Sequence, residues 1–97
     1  MIILDTIEKL SKKYSVSPSE FIRNGAALAI KERKRALQIE KLEILAKYEV
    51  ATVKELEKKI KGGKVPEHPA WEDLIEIKNI EAEIREMEND IRTLQRS

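Results

Sequence analysis

The chain has 97 residues, of which 41% are hydrophobic and 38% are charged, and its net charge is +1. This length allows one domain or one elongated helical unit, and the near-neutral charge gives no overall attraction to nucleic acid. The lack of cysteine excludes a disulfide framework and a thiolate metal site, and the lack of an apolar run of about 18 residues excludes a membrane-spanning helix.

A first helix is predicted near residues 3–14. Four apolar residues recur there at spacings of four, three and four, which places them on one helical face: Ile3, Ile7, Leu10 and Tyr14. Asp5 and Glu8 fit a capping box at its start. Alternatively, the helix starts at Ile3 and Asp5 interacts favourably with its positive end.

A second, long helix is predicted near residues 18–48. Ser17 suits the N-cap, Pro18 the first helical position, and Glu20 follows three residues after the cap. Both halves of this helix are rich in apolar residues, but the run KERKR (31–35) between them is charged on every side. Such a segment cannot be buried all round, so it either bridges solvent between two packed regions or contacts an acidic surface.

A short third helix is predicted near residues 53–61, because Thr52 and Glu55 form a capping-box pattern and two glycines follow at 62–63. A proline-stiffened linker then leads to a fourth helix near 70–95. His68 in this linker is the only histidine of the chain. Without a second histidine or a cysteine, we expect neither metal binding nor catalysis from it.

The fourth helix has the most regular apolar pattern of the chain. Trp71 extends a seam of six residues at spacings of three and four, which match a and d positions: Ile77, Ile80, Ile84, Met87, Ile91 and Leu94. The flanking positions are acidic, so a parallel homodimer would oppose like charges. We therefore expect the seam to pack on a helix with basic flanks, and the second helix offers them: Lys34, Arg35, Lys41 and Lys47. The alternative is that this helix binds a partner protein.

Charge is unevenly distributed along the chain. Residues 1–48 hold ten lysines and arginines against six acidic residues, whereas residues 49–97 hold nine against twelve. Two interpretations stay open. Either these are solvated faces of neighbouring helices that attract each other, or the basic front contacts phosphate and the acidic helix contacts a protein partner.

The run IEKLSKKYSVSPSEFIRNGAALAIKE resembles the two-helix part of the ribbon-helix-helix family over about residues 3–30. The matching residues are Leu10, Tyr14, Val16, Ser17, Ser19, Glu20, Phe21, Ile22, Arg23 and Ala27. The resemblance implies interlocked chains, a paired N-terminal strand in the DNA major groove, phosphate bound at the start of the second helix, and a C-terminal segment that wraps a toxin. Ser15 stands where glycine is common, and MIIL is too short to supply a base-reading strand.

Two other interpretations of this stretch stay open. A helix-turn-helix unit fits LSKKYSVSPSEFIRNGA, although few side chains on its second helix can read bases. A capped turn between two core helices fits equally well. If phosphate is bound here, the contacts are expected from the residues around the turn: Lys12, Lys13, Ser17, Ser19 and Arg23.

Together these patterns predict an elongated all-α protein with a long central helix and a coiled-coil-like C-terminal helix, assembled as an intertwined oligomer. Residues 1–48 form the oligomerisation region and residues 49–97 the acidic C-terminal region. We expect a cytoplasmic, non-enzymatic regulator or antitoxin-like protein without cofactor or membrane contact, which binds a toxin-like protein partner and touches DNA, if at all, through phosphates. The alternative is a purely structural helical oligomer. The predicted oligomer or partner seam consists of Phe21, Ile22, Trp71, Ile77, Ile80, Ile84, Met87, Ile91 and Leu94.

Overall fold

The computed structural model describes residues 2–97, which form four helices: α1 (Ile2–Lys13), α2 (Pro18–Lys47), α3 (Val53–Lys61) and α4 (Glu67–Arg96). The molecule is elongated, with extents of 61 × 21 × 21 Å. These bounds lie within a few residues of the predicted ones, so the elongated all-α fold with a long central helix is confirmed. Met1, the first residue of the predicted segment 1–48, lies outside the described residues.

Local side-chain hydrogen bonds define where α2 and α3 begin. The hydroxyl of Ser17 accepts the N–H of Glu20 at 3.1 Å, and the hydroxyl of Thr52 accepts the N–H of Glu55 at 3.1 Å. At α4 the backbone of His68 is not helical (φ −107°, ψ 123°). The residue before a proline is excluded sterically from the helical region, so the uninterrupted part of α4 follows His68.

The first three helices end in the same way. Each is followed by one residue with positive φ: Ser15 (60°), Glu49 (54°) and Gly63 (69°). The next N–H then donates to the carbonyl five residues earlier, as from Val16 to Ser11 at 3.0 Å, with 3.3 and 2.9 Å at the other two ends. This is the Schellman arrangement, which satisfies carbonyls that the helix itself leaves free.

The buried core lies among the second half of α2, α3 and α4. It consists of one leucine- and isoleucine-rich cluster: Leu37, Ile44, Leu45, Leu56, Ile60, Ala70, Leu74, Ile77 and Ile80. Val50 from the α2–α3 connection and Val53 at the start of α3 pack against it. The core thus draws on both predicted segments, 1–48 and 49–97, and holds them together as one packed unit.

The ribbon-helix-helix interpretation is wrong. Helix α1 already begins at Ile2, and residues 2–97 contain no strand that could pair in a ribbon. The resemblance arose because the turn joins a Schellman end at Ser15 to a capped start at Ser17. Any two consecutive helices can use such a junction, so it is not specific to that family.

Candidate protein-binding surface

The C-terminal seam is covered by the chain itself. Helix α4 runs antiparallel to α2, and Ile77, Ile80 and Ile91 are buried while Ile84, Met87 and Leu94 are half-buried. Trp71 lies at the edge of this packing and is 37% exposed. From Ile77 to Leu94, the predicted oligomer or partner seam is therefore an internal packing surface, because the matching apolar face of α2 belongs to the same chain.

Ion pairs align the two long helices. Three of the four predicted basic residues face acidic residues of α4, with N–O distances of 3.8, 3.0 and 2.9 Å: Lys34–Glu88, Lys41–Glu81 and Lys47–Asp73. Arg35 does not. It pairs with Glu32 on its own helix at 3.4 Å, on the side of α2 that α4 leaves open.

A polar cluster closes one end of the core. The Tyr48 hydroxyl donates a hydrogen bond to Asp73, and Lys47 Nζ lies 2.9 Å from the same carboxylate. Burial, followed by the hydrogen bond and the charge of Asp73, raises the pKa of Tyr48 to about 12. The hydrogen bond from Tyr48 and the charge of Lys47 lower the pKa of Asp73. The ionised carboxylate of Asp73 accepts from both Tyr48 and Lys47, and it thereby stabilises the contact between the end of α2 and the beginning of α4.

The residues predicted to contact phosphate have different surroundings in the structure. Lys12 and Lys13 are exposed in the last turn of α1, and the Ser17 hydroxyl is occupied by the N–H of Glu20. Arg23 Nη2 donates to the carbonyl oxygen of Ser97 at 2.8 Å, so it faces the end of α4. Phosphate contact at this turn stays a prediction.

An open apolar surface lies instead on what we call the arm, residues 2–30, which comprises α1 and the first half of α2. Within Ile2–Lys13 the one buried side chain is the small Ser11. The rings of Tyr14 and Phe21 stack with centroids 6.5 Å apart, and they connect the two helices across the turn. Most larger apolar side chains of the arm remain exposed, including Leu10 and Leu28.

These side chains border a groove of about 640 Å³, here called the arm groove. Its walls come from both helices of the arm and from the turn: Ile7, Tyr14, Val16, Phe21, Ile22, Asn24, Gly25, Ala26 and Leu28. Only Tyr14 and Asn24 in this set carry polar side-chain groups. Ile22 is 51% exposed and Leu28 is 64% exposed. A continuous apolar surface of this kind on a charged molecule is typical of an interaction site.

Sequence reasoning identified Phe21 and Ile22 but missed most of this groove. The signal that could have identified the groove is the apolar face of α1, because the sequence pattern assigns no other helix of the chain to cover that face. Only the packing shows that α2 uses one face for α4 and leaves the other face open.

Among residues 2–97, no three or more metal-ligating side chains come together as a possible metal site. None of the described helices combines the length and the apolar character that crossing a membrane requires. In the comparison with protein families, the model described as the uncharacterized protein MJ0235 family matches residues 1–97, which replaces the ribbon-helix-helix assignment. A search of curated proteins and a search of solved structures each found no match.

Proposed function

We propose that this chain, which belongs to the uncharacterized protein MJ0235 family, is a small non-enzymatic protein-binding protein whose arm groove holds an apolar helix of its partner. The observation that carries the proposal is the arm groove itself. Two helices form its walls, and nearly all its lining side chains are apolar. An amphipathic helix placed in an apolar groove is a common mode of protein recognition.

The energetics favour a covered groove. Fully burying an exposed leucine or isoleucine contributes about 1.5–3 kcal/mol. Ile22 and Leu28 still expose more than half of their surface, so covering both against a partner recovers a substantial part of that free energy. The core of α2, α3 and α4 supplies a firm support for this surface, because α2 continues from the core into the arm without a break.

Phosphate binding at the start of α2 is less favoured by the same geometry. Pro18 has no N–H to offer, and the N–H of Glu20 already binds the Ser17 hydroxyl. The carboxylate of Glu20 adds negative charge to the first turn. An anion would therefore meet fewer free donors and more repulsion than at an ordinary helix start.

The proposal is tested by placing one charge in the groove. We expect the wild-type chain to associate as its concentration rises, measured by sedimentation equilibrium, or to bind the apolar dye 1-anilinonaphthalene-8-sulfonate when dilute. Leu28→Asp should abolish both without lowering the melting temperature of the dilute, monomeric chain, because Leu28 is largely exposed in the single chain.

Ile75→Asp is the matched control, because Ile75 is 58% exposed on α4 and does not line the groove. This variant should behave like the wild type. A wild-type chain that binds no dye and remains monomeric up to millimolar concentration would contradict the proposal. Equal losses in both variants would contradict it as well.

A further inference from the structure

We infer that the partner is a second copy of this chain, bound antiparallel along the open face of α2. This inference, which rests on the protein-binding function proposed above, adds the identity of the partner and the register of the contact. It follows from a second periodic pattern on α2, from the charges inside that pattern, and from the glycine at its end.

The open face of α2 carries what we call the outer stripe. Its six residues recur at spacings of three and four, as a and d positions do: Gly25, Leu28, Glu32, Arg35, Ile39 and Leu42. The opposite face of α2 supplies the buried Leu37 and Ile44 to the core. Leu28 and Leu42 of the outer stripe are 64% and 61% exposed, so nothing within residues 2–97 covers it.

The outer stripe is complementary to itself when reversed. A two-fold axis between residues 33 and 34 brings Glu32 of each copy opposite Arg35 of the other, so this ion pair forms twice, once on each side of the axis. The next layer on each side joins Leu28 to Ile39 of the second copy. Every layer then pairs an a position with a d position, as antiparallel helices require.

The central charges favour this arrangement over others. Arg33 and Lys34 are committed to Glu83 and Glu88 of α4, at 4.0 and 3.8 Å. Glu32 and Arg35 remain exposed and pair only with each other. A parallel copy would place Glu32 opposite Glu32 and Arg35 opposite Arg35. A foreign helix charged with a single sign at these layers would repel one of the two.

Gly25 marks the end of the stripe and the floor of the arm groove. A Cβ atom at this position would meet no heavy atom within 4 Å, so the space above it is empty. In the antiparallel register Leu42 of the second copy lies over Gly25 and enters the arm groove. Glycine is unfavourable inside a helix, and close approach of a large partner side chain accounts for its presence here.

The residues that flank the outer stripe are compatible with the antiparallel contact between two copies. Ala29 of one copy comes next to Ala36 of the other, and both are exposed small residues that allow two helices to approach closely. On the other side Lys31 faces Gln38, so no like charges meet there. The register therefore pairs opposite charges at its centre and apolar residues in the next layers, and it places Leu42 against Gly25 at each end.

The test uses two full-length variants, Glu32→Arg and Arg35→Glu. Each alone opposes like charges in both central layers, so we expect its dimer dissociation constant to rise at least tenfold over that of the wild type. Mixed together, they restore both layers across the interface, because one copy carries two arginines and the other two glutamates. The mixture should regain wild-type association, measured by sedimentation equilibrium.

The mixing result separates an interchain pair from the intrachain one, because neither variant can form the Glu32–Arg35 pair within its own helix. If the wild type associates but the mixture is no stronger than the single variants, the register is refuted while the protein-binding function stands. If the wild type never associates and the dye binds the groove, the partner is not a second copy. If neither association nor dye binding occurs, both proposals fail.

A covalent readout gives an independent check on orientation, since the natural chain has no cysteine. Leu28→Cys mixed with Ile39→Cys should form a mixed disulfide under mild oxidation. Two copies of Leu28→Cys should not, because they lie roughly 16 Å apart along the axis in the antiparallel register, at 1.5 Å per residue. Rapid disulfide formation by Leu28→Cys alone would indicate a parallel pair and overturn the inference.

Discussion

The hydroxyl of Tyr48 donates a hydrogen bond to the carboxylate of Asp73, which fastens the end of α2 to the beginning of α4. Lys59 of α3 donates to the carbonyl oxygen of the same tyrosine at 2.8 Å. Three helices therefore meet at Tyr48, at the end of the molecule opposite the arm. This junction fixes the direction in which α2 leaves the core, and thereby the position of the arm.

The first prediction concerns alkaline pH. Tyr48 has a pKa of about 12 in the folded chain against an ordinary value of 10.0. Between these values the unfolded chain releases the phenolic proton while the folded chain keeps it, so the stabilisation present below pH 10 is lost as pH rises towards 12. We expect the unfolding free energy of Tyr48→Phe to fall less between pH 9 and 11 than that of the wild type, measured by urea unfolding. Parallel slopes would contradict the assignment.

The second prediction concerns the internal cover of α4. Ile77 is fully buried, so Ile77→Ala should lower the free energy of unfolding by about 2–5 kcal/mol. Ile75, two residues earlier on the same helix, is 58% exposed, and Ile75→Ala should change stability by no more than about 0.5 kcal/mol. Urea unfolding of both variants at low protein concentration checks this. Equal costs would mean that the two faces of α4 are assigned incorrectly.

The third prediction concerns the helix ends. Glu49 has a left-handed backbone, with φ of 54°, which is strained for a residue with a Cβ atom. Glu49→Gly should raise the free energy of unfolding by about 0.5–1 kcal/mol, since relief of strain exceeds the extra entropy of glycine. Glu49→Ala is the control, because it removes the same charge but keeps the Cβ atom. If alanine stabilises as much as glycine, the charge and not the backbone is responsible.

The fourth prediction concerns removal of α4. A chain truncated after Val65 loses the helix that covers Leu37, Ile44 and Leu45. We expect this fragment to aggregate or to lose cooperative melting, followed by circular dichroism and light scattering. The outcome that contradicts it is a soluble 1–65 fragment that melts as sharply, and at as high a temperature, as the full chain.

Much of the architecture is determined by the sequence alone, because it depends on interactions between residues close in the chain. Ser17 with Glu20 and Thr52 with Glu55 form hydrogen bonds within one turn, so the helix starts could be predicted from residue types and spacing. The apolar residues of α4 recur at spacings of three and four, and this spacing indicates a buried helical face, whether the same chain or another chain covers it. The helix bounds and the elongated fold follow from these local rules.

The tertiary structure decided which surfaces are covered. The spacing of apolar residues predicts that Ile77 and Phe21 both lie on apolar helix faces. Only the packing of α2 on α4 shows that Ile77 is buried and that Phe21 lines an open groove. It also turned Arg35 away from α4 towards Glu32, although Lys34 and Lys41 beside it face acidic partners. Contacts between residues 25 to 74 positions apart depend on the relative rotation and position of whole helices. No local pattern contains that information, because one face of a helix can be covered equally well by its own chain or by another.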